Sequence, residues 1–538
     1  MACHSPARIL GRERIMGKYL VKRILRGLLS VIAVVIIVMV LIYTLMGRDR
    51  VFAGDAAYIK LGSNEKEAYR YSKWEEYGYL DYVTYAEYLL DLVADNELDE
   101  DTRAKAVGIA RTAEKDSEIT QEYVEKFTQF YEEQGYTVVR LDAKLQGNRL
   151  IKGGQQQLFA YRDRPLLNRV VTYFTGLVTF DNIHYVEEDI GDRGLTFTWF
   201  DPLYGGEKFS PAIMGNGTFH KYLFYVDSTF PFIHQNFATI NLGTSYTVNR
   251  GVDVFTTMGA SQGPYVLSSV TFPTGLTEQS ADDLHTATYV PGSQSANAVN
   301  AERFIDDYTN VQTVKGAMSK VGFSFVIGII ASVLAYLLGL PLGVLMARQK
   351  DKLIDKLGTM YIIFLIAVPS LAYIFIFKAI GGSLFGLPTT FDMSAANKLM
   401  FILPIVSLAL PSVANLMKWL RRYMIDQMNS DYVKFARSGG LSEGEIFTKH
   451  ILKNAAIPLF HGIPGTILSA MIGAIITERV YVVPGAGNLL TEAINKYDNG
   501  VIVGVTLFYA LLSVVSLILG DILMATVDPR ISFSTKDR

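Results

Sequence analysis

Six stretches of this chain are apolar enough to cross a bilayer, and that feature restricts its fold more than any other. A crossing helix needs roughly 20 residues. The stretches cover about 27–46, lie within 321–347, 357–380 and 399–417, and cover about 457–476 and 501–524. Basic residues are distributed unevenly around them. Arg8, Arg12, Arg14, Lys18, Lys22, Arg23 and Arg26 precede the first stretch, and Arg348, Lys350, Lys352 and Lys356 follow the second. Lys418, Arg421, Arg422, Lys434, Arg437, Lys449 and Lys453 separate the fourth from the fifth, and Arg530, Lys536 and Arg538 close the chain. The short connections near 381–398 and 481–500 carry almost none. Positive charge is retained on the cytoplasmic side, so both termini and the 418–453 connection are expected there. An even number of crossings agrees with this.

Half the residues are hydrophobic, only modestly above a globular share, because a polar middle dilutes the apolar ends. That middle, residues 50–313, is tyrosine-rich and holds no crossing segment, so it is expected to fold outside the membrane as an α+β domain. Helical patterning covers 85–96 and 118–134, and strand-and-turn patterning begins at Thr137. A stretch near 291–300, rich in Ala, Ser and Asn, reads as a flexible strap. The single cysteine, Cys3, rules out an internal disulfide, so this domain must be held by its core. The first apolar stretch is too long for a signal-peptide core and reads as a retained anchor. Met16-Gly17-Lys18 resembles a start site, which would make residues 1–15 an upstream extension. The fold expected is a polytopic α-helical membrane protein with six transmembrane helices and a large extracellular α+β insert between the first and second.

Several chemistries lack their residues. The chain has no Gly-x-x-x-x-Gly-Lys-Ser/Thr phosphate loop, no Gly-x-Ser-x-Gly elbow and no metal-ligand spacing among its seven histidines. No cofactor, metal or catalytic residue is expected. A net charge of −2 gives no general attraction to nucleic acid.

Asp431-Tyr-Val-Lys-Phe-Ala-Arg-Ser-Gly-Gly-Leu-Ser442 is a polar, basic island between two apolar stretches. Ala436 and Gly440, four apart, are expected to share a helix face smooth enough for another protein to approach. Gly439-Gly440 should end that helix. Ser442 with Glu445 three residues on should open the next one with a capping box. This motif, followed by His450-x-x-x-Asn454-Ala-x-Ile-Pro458, resembles the cytoplasmic coupling loop of ABC-type peptide importer permeases. The general ABC-importer motif begins Glu-Ala-Ala, where this chain has Lys434-Phe435-Ala436, a departure common in peptide-type permeases. The second apolar stretch, Pro369, Pro404, Pro411 and the ending Asp528-Pro529-Arg530 resemble the same family. So do Arg164-Pro-Leu-Leu-Asn-Arg-Val-Val-Thr-Tyr-Phe-Thr-Gly-Leu177 and Asn236-Phe-Ala-Thr-Ile-Asn-Leu-Gly-Thr-Ser-Tyr246, between large insertions, as in an enlarged Gram-positive form.

The resemblance implies a non-catalytic translocation subunit of an oligopeptide importer in a bacterial plasma membrane. It implies four kinds of contact: a second homologous permease, two ATP-binding subunits, an extracellular lipid-anchored peptide-binding protein, and membrane lipid. It assigns ATPase coupling to loop 431–454 through Ala436, Arg437, Gly440, Leu441, Ser442 and Glu445. It gives the membrane core as 314–527, with 1–26 and 528–538 as cytoplasmic ends. Val483-Pro484-Gly485-Ala486-Gly487 resembles the family's external re-entrant loop, usually Trp-Pro-Gly-Leu-Gly. With Glu478 it is a possible outer gate through Glu478, Pro484, Gly485 and Gly487, although Glu478 could instead form a local ion pair with Arg479. Two other readings remain open: import of another small solute (a dipeptide or nickel), and a membrane-anchored extracellular scaffold, which leaves the loop unexplained.

Overall fold

A computed structural model describes residues 6–527, apart from 181–182, 188–192, 203–205, 208, 227–232, 294–296, 317 and 394–396. Cys3, the 528–538 tail with its Asp-Pro-Arg ending, and the middle of the expected 291–300 strap lie outside the described residues. Next to that strap, Ala298–Arg303 is helical.

Among the described residues, the longer helices of the apolar bundle are α1 (Pro6–Leu45), α2 (Lys320–Arg348), α3 (Leu353–Ala367), α4 (Ser370–Phe385), α5 (Ile402–Met428), α6 (Asp431–Ser438), α7 (Lys453–His461), α8 (Ile463–Tyr481), α9 (Ala486–Asn495) and α10 (Asn499–Val527). Among the described residues, five segments pass as single crossing helices: Tyr19–Leu45, Lys320–Arg348, Lys398–Met428, Ile463–Tyr481 and Asn499–Val527. The stretch expected at 357–380 is not one straight helix. α3 and α4 meet at a 115° bend. Pro369 causes it, because proline lacks the N–H that would continue the ladder and forces the preceding residue out of the helical region. Val368 accordingly sits at φ −84, ψ 128. The expected fifth segment, 457–476, is also displaced. Its first residues belong to α7, which runs through Pro458 and stops at Gly462, and the crossing helix begins at Ile463.

Contacts between helices give their directions. Gly339 and Gly343 of α2 lie against Leu416 and Leu420 of α5, so these two helices run parallel, and the small residues let the backbones approach closely. Ser324, Gly328 and Tyr336 of α2 meet Glu478, Met471 and Thr466 in turn, so α8 runs the opposite way. Gly27 packs on Val514 while Arg23 pairs with Asp521 at 3.0 Å, making α1 antiparallel to α10. For α5 to repeat the direction of α2, the bent α3–α4 pair must carry the chain back across. Gly381 of α4 duly packs on Leu403 at the start of α5. Tyr19 near the start of α1, the end of α10 and the 431–454 loop therefore share one end of the bundle. Glu478, Asp498 and the inserted residues share the other.

Among the described residues, the segment between α1 and α2 builds a first core on both faces of one sheet and a second around another. In the first, strand Gln157–Asp163 lies between antiparallel Leu80–Thr84 and Thr137–Leu141. Helices Tyr85–Ala94 and Glu118–Glu133 pack on it. In the second, antiparallel strands run in the order Ile233–Gln235, Tyr222–Val226, Ala212–Asn216, Gly194–Thr198. Many of the tyrosines are core residues: Tyr77, Tyr79, Tyr85, Tyr222, Tyr246 and Tyr308 are all buried. Ring burial on this scale can hold a domain together without disulfides.

Candidate functional site

The 431–454 loop is built from terminators rather than from core. In α6, Val433 and Ala436 are buried against the bundle, beside Ile446 and Ile451. Gly440 adopts φ +80. Its N–H donates to the Arg437 carbonyl at 3.0 Å, and the Leu441 N–H donates to the Ala436 carbonyl at 3.3 Å. This pair of bonds is a Schellman closure, which needs a left-handed residue just past the helix end. Ser442 then opens the next turn. Its Oγ accepts from the Glu445 N–H at 3.3 Å, while the Glu445 carboxylate accepts from the Ser442 N–H at 3.4 Å. A wide π-helical segment, Ile446–Leu452, continues into α7.

The expectation that Ala436 and Gly440 share one exposed helix face is not met. Ala436 points into the core, and Gly440 lies beyond the helix end in a left-handed turn. The exposed apolar side chains are others: Phe435 is 79 % exposed, Leu441 41 % and Tyr432 36 %. Phe435 was missed in the sequence. The available signal was its position two residues after Val433 in an otherwise polar helix, which sends it away from the buried face.

Charge stiffens the loop. Arg437 Nε lies 2.5 Å from Glu443 Oε1, joining the two limbs, and Lys449 lies 3.3 Å from Glu445. The hydrogen bonds from Arg437 hold the Glu443 carboxyl below its ordinary value. Bonds from Lys449 and then Ser442 do the same for Glu445. Beneath the loop, Arg421 of α5 grips buried Asp355 of α3 through two bonds, at 2.5 and 2.7 Å. The loop therefore stands on a braced pair of helices.

At the other end, Glu478 is fully buried at the N-terminus of α9. It accepts from Ser324 Oγ at 2.6 Å and from the Asn488 N–H at 3.0 Å. Ser324 Oγ in turn accepts from the Ala486 N–H at 2.9 Å. A helix N-terminus presents unpaired N–H groups and positive potential, which suits a carboxylate. The glycines make room for it. A Cβ at Gly485 would lie 2.3 Å from Glu478 Cδ, and one at Gly487 would lie 2.7 Å from Ile475 Cγ1. Pro484 precedes this pair. The alternative Glu478–Arg479 ion pair does not form, because adjacent helical residues point apart. Arg479 donates instead to Asn488 Oδ1 at 3.3 Å.

A second buried carboxylate at this end was not singled out in the sequence. Asp498, just before α10, accepts from Ser245 Oγ at 2.7 Å and from the N–H groups of Tyr246, Thr247 and Val248 at 2.8–2.9 Å. It also accepts from the Val501 N–H at 3.2 Å. Asp498 thus starts a membrane helix and ties the inserted segment to it. Its position before an apolar run suggested an N-cap. The partner 250 positions earlier could not be read locally. Lys378 of α4 donates to the Val480 carbonyl at 2.7 Å. No group of three or more metal-ligating side chains occurs among the described residues.

Residues 339–533 match the family model described as "Binding-protein-dependent transport system inner membrane component". The chain is 34% identical to the oligopeptide transport system permease protein AmiC of Streptococcus pneumoniae, over 97% of its own length and 99% of the relative's. It is 31% identical to the dipeptide transport system permease protein DppB of Bacillus subtilis, over 40% of its own length and 68% of the relative's. The longer match includes the inserted segment; the shorter one spans less than half of the chain.

Proposed function

The chain belongs to the binding-protein-dependent peptide transport permeases, and from that premise we propose how it carries out its part in oligopeptide import. It is a membrane subunit of an ABC importer for oligopeptides, and the observation that carries this reading is the 34% identity across nearly its whole length. ATP is hydrolysed by partner subunits. The sequence lacks a phosphate loop, in keeping with that division of labour.

Loop 431–454 is the surface that receives ATPase motion. Its exposed Phe435 and Leu441 enter a groove on an ATP-binding subunit. Burying a phenylalanine side chain contributes about 1.5–3 kcal/mol. Gly440, Ser442 and Glu445 keep the two limbs at a fixed angle, Arg437 locks them through Glu443, and Ala436 seats the first limb on the bundle. Motion reaching α6 passes to α5 and, through Arg421–Asp355, to α3. This reading puts the loop and both termini in the cytoplasm, supported by the charge asymmetry and by the shared end of the bundle.

Residues 50–313 then lie outside as an α+β domain, and they offer a docking platform to a lipid-anchored peptide-binding protein. A second permease completes the pathway. Glu478 with Pro484, Gly485 and Gly487 forms part of an outer gate. Uptake of a labelled pentapeptide by cells lacking the gene tests the reading, with redundant importers removed. Loss and rescue of uptake is the expected result, and undiminished uptake contradicts it. Deleting 55–157 while retaining membrane insertion should abolish binding-protein docking; unchanged docking would sink the platform.

A further inference from the structure

A groove opens between α4, α5 and α8, at the depth of the crossing helices. Its volume is about 530 Å³, and Ser370, Ser412, Asn415, Thr466 and Ser469 contribute polar groups to its wall. None of its lining residues is charged. Asn415 and Ser469 are exposed and Ser412 is half-buried. The side chains of these three residues make no hydrogen bond among the described residues. Other polar side chains of the bundle do find partners: Ser332 donates to Gly328, Ser407 bonds Tyr481, and Tyr336 donates to Leu459. An amide with unmet hydrogen bonds facing hydrocarbon is costly, so such groups face water, protein or cargo.

We infer that this groove is the wall of the translocation path and that Asn415, with Ser412 and Ser469, contacts the main chain of the passing peptide. The inference rests on the peptide-permease reading and adds to it the residues that meet cargo. An asparagine offers two donors and an acceptor, and each serine offers one donor and two acceptor lone pairs. Those are the complements of peptide C=O and N–H groups, which every peptide carries. An uncharged wall neither selects nor rejects a charged side chain, so the path accepts peptides of varied sequence. The groove also adjoins the Pro369 bend and lies between Pro411 of α5 and Gly462 at the start of α8. Those are the points where backbone ladders are interrupted and the wall can change shape.

Cys3 is the only cysteine, so a Cys3→Ser chain accepts single reporters. Asn415→Cys, Ser469→Cys and, as a lipid-facing control, Ile37→Cys would be assembled into the complete importer in proteoliposomes. Each would be treated with a small cationic methanethiosulfonate reagent, which reacts with hydrated thiolate. The expected result is labelling at 415 and 469 but not at 37, and loss of that labelling when a transported pentapeptide and ATP are present. Thiols at 415 and 469 as unreactive as that at 37, in a complex that takes up peptide, would overturn the inference. Cross-linking of either thiol to the second permease without protection by peptide would also overturn it, making the groove a subunit contact. If the complex with the natural chain takes up no peptide although 415 and 469 label, the permease reading fails and the proposed cargo fails with it.

Discussion

The two ends of the helix bundle are built on opposite plans. At the Glu478–Asp498 end, two carboxylates are buried and their bonds close within the chain: backbone N–H groups, Ser245 and Ser324 surround them. At the 431–454 end the loop's own charges are exposed and paired along the surface, above the buried Asp355 held by Arg421, and an aromatic ring stands in the open. A buried carboxylate held by several N–H groups is a fastening that tolerates little change. An exposed ring on a capped turn gains little from its own chain, and its apolar area would stabilise a contact only by being buried there. The comparison teaches that the Glu478–Asp498 fastening closes within this polypeptide, whereas the 431–454 loop carries apolar side chains that its own chain leaves exposed.

Substitutions should separate the two plans. The largest effect is expected from Asp498→Ala, which strands three backbone N–H groups of residues 246–248 and releases the insert from α10. A stability loss of roughly 3–5 kcal/mol follows from leaving those donors unpaired. It should appear as rapid proteolysis of the 50–313 segment in detergent, and protease resistance equal to the natural chain would break the comparison. Gly485→Ala comes next. The added Cβ meets the Glu478 carboxyl at 2.3 Å, so Glu478 must leave the α9 N-terminus and the melting temperature should fall.

Phe435→Ala should behave in the opposite way. Melting and membrane insertion should stay unchanged, while peptide-stimulated ATP hydrolysis falls, and a lowered melting temperature would make Phe435 a structural residue. Ser442→Ala removes a cap worth about 1 kcal/mol and should weaken coupling less than Phe435→Ala does.

The smallest effect concerns pH. His285, in the second core of the insert, is buried, which disfavours its charged form. The carboxylates of Asp201 and Asp283 outweigh that and raise its pKa above the ordinary 6.5. A raised pKa means that the charged histidine contributes stability below the unfolded value. That contribution is lost as pH rises through the folded value. The insert should therefore melt at lower temperature on passing from about pH 6 to above the raised value, and His285→Gln should flatten that dependence.

Much of the 431–454 end was legible in the sequence because its signals are local. Gly439-Gly440, Ser442 and Glu445 lie within seven positions, and each acts on its neighbours' backbone. The crossing helices were legible from hydropathy, although Pro369 turned one into a bent pair and Gly462 delayed another. The buried orientation of Ala436 was not legible, because it depends on Ile446 and Ile451 folding back beneath α6. Asp498 escaped for a similar reason: an acidic residue before a helix looks like any cap until residues 245–248 arrive from far along the chain. Asn415 looked like one polar residue in an apolar stretch, and only the packing of α4 and α8 around it gave it a groove.

The most direct test is photo-cross-linking from a benzophenone side chain substituted at position 435 in the assembled importer. A covalent adduct with an ATP-binding subunit, strengthened or weakened by nucleotide, is the predicted result. Absence of any such adduct, in a complex whose peptide uptake is intact, would contradict the assignment of this loop as the point where ATP hydrolysis is coupled to transport.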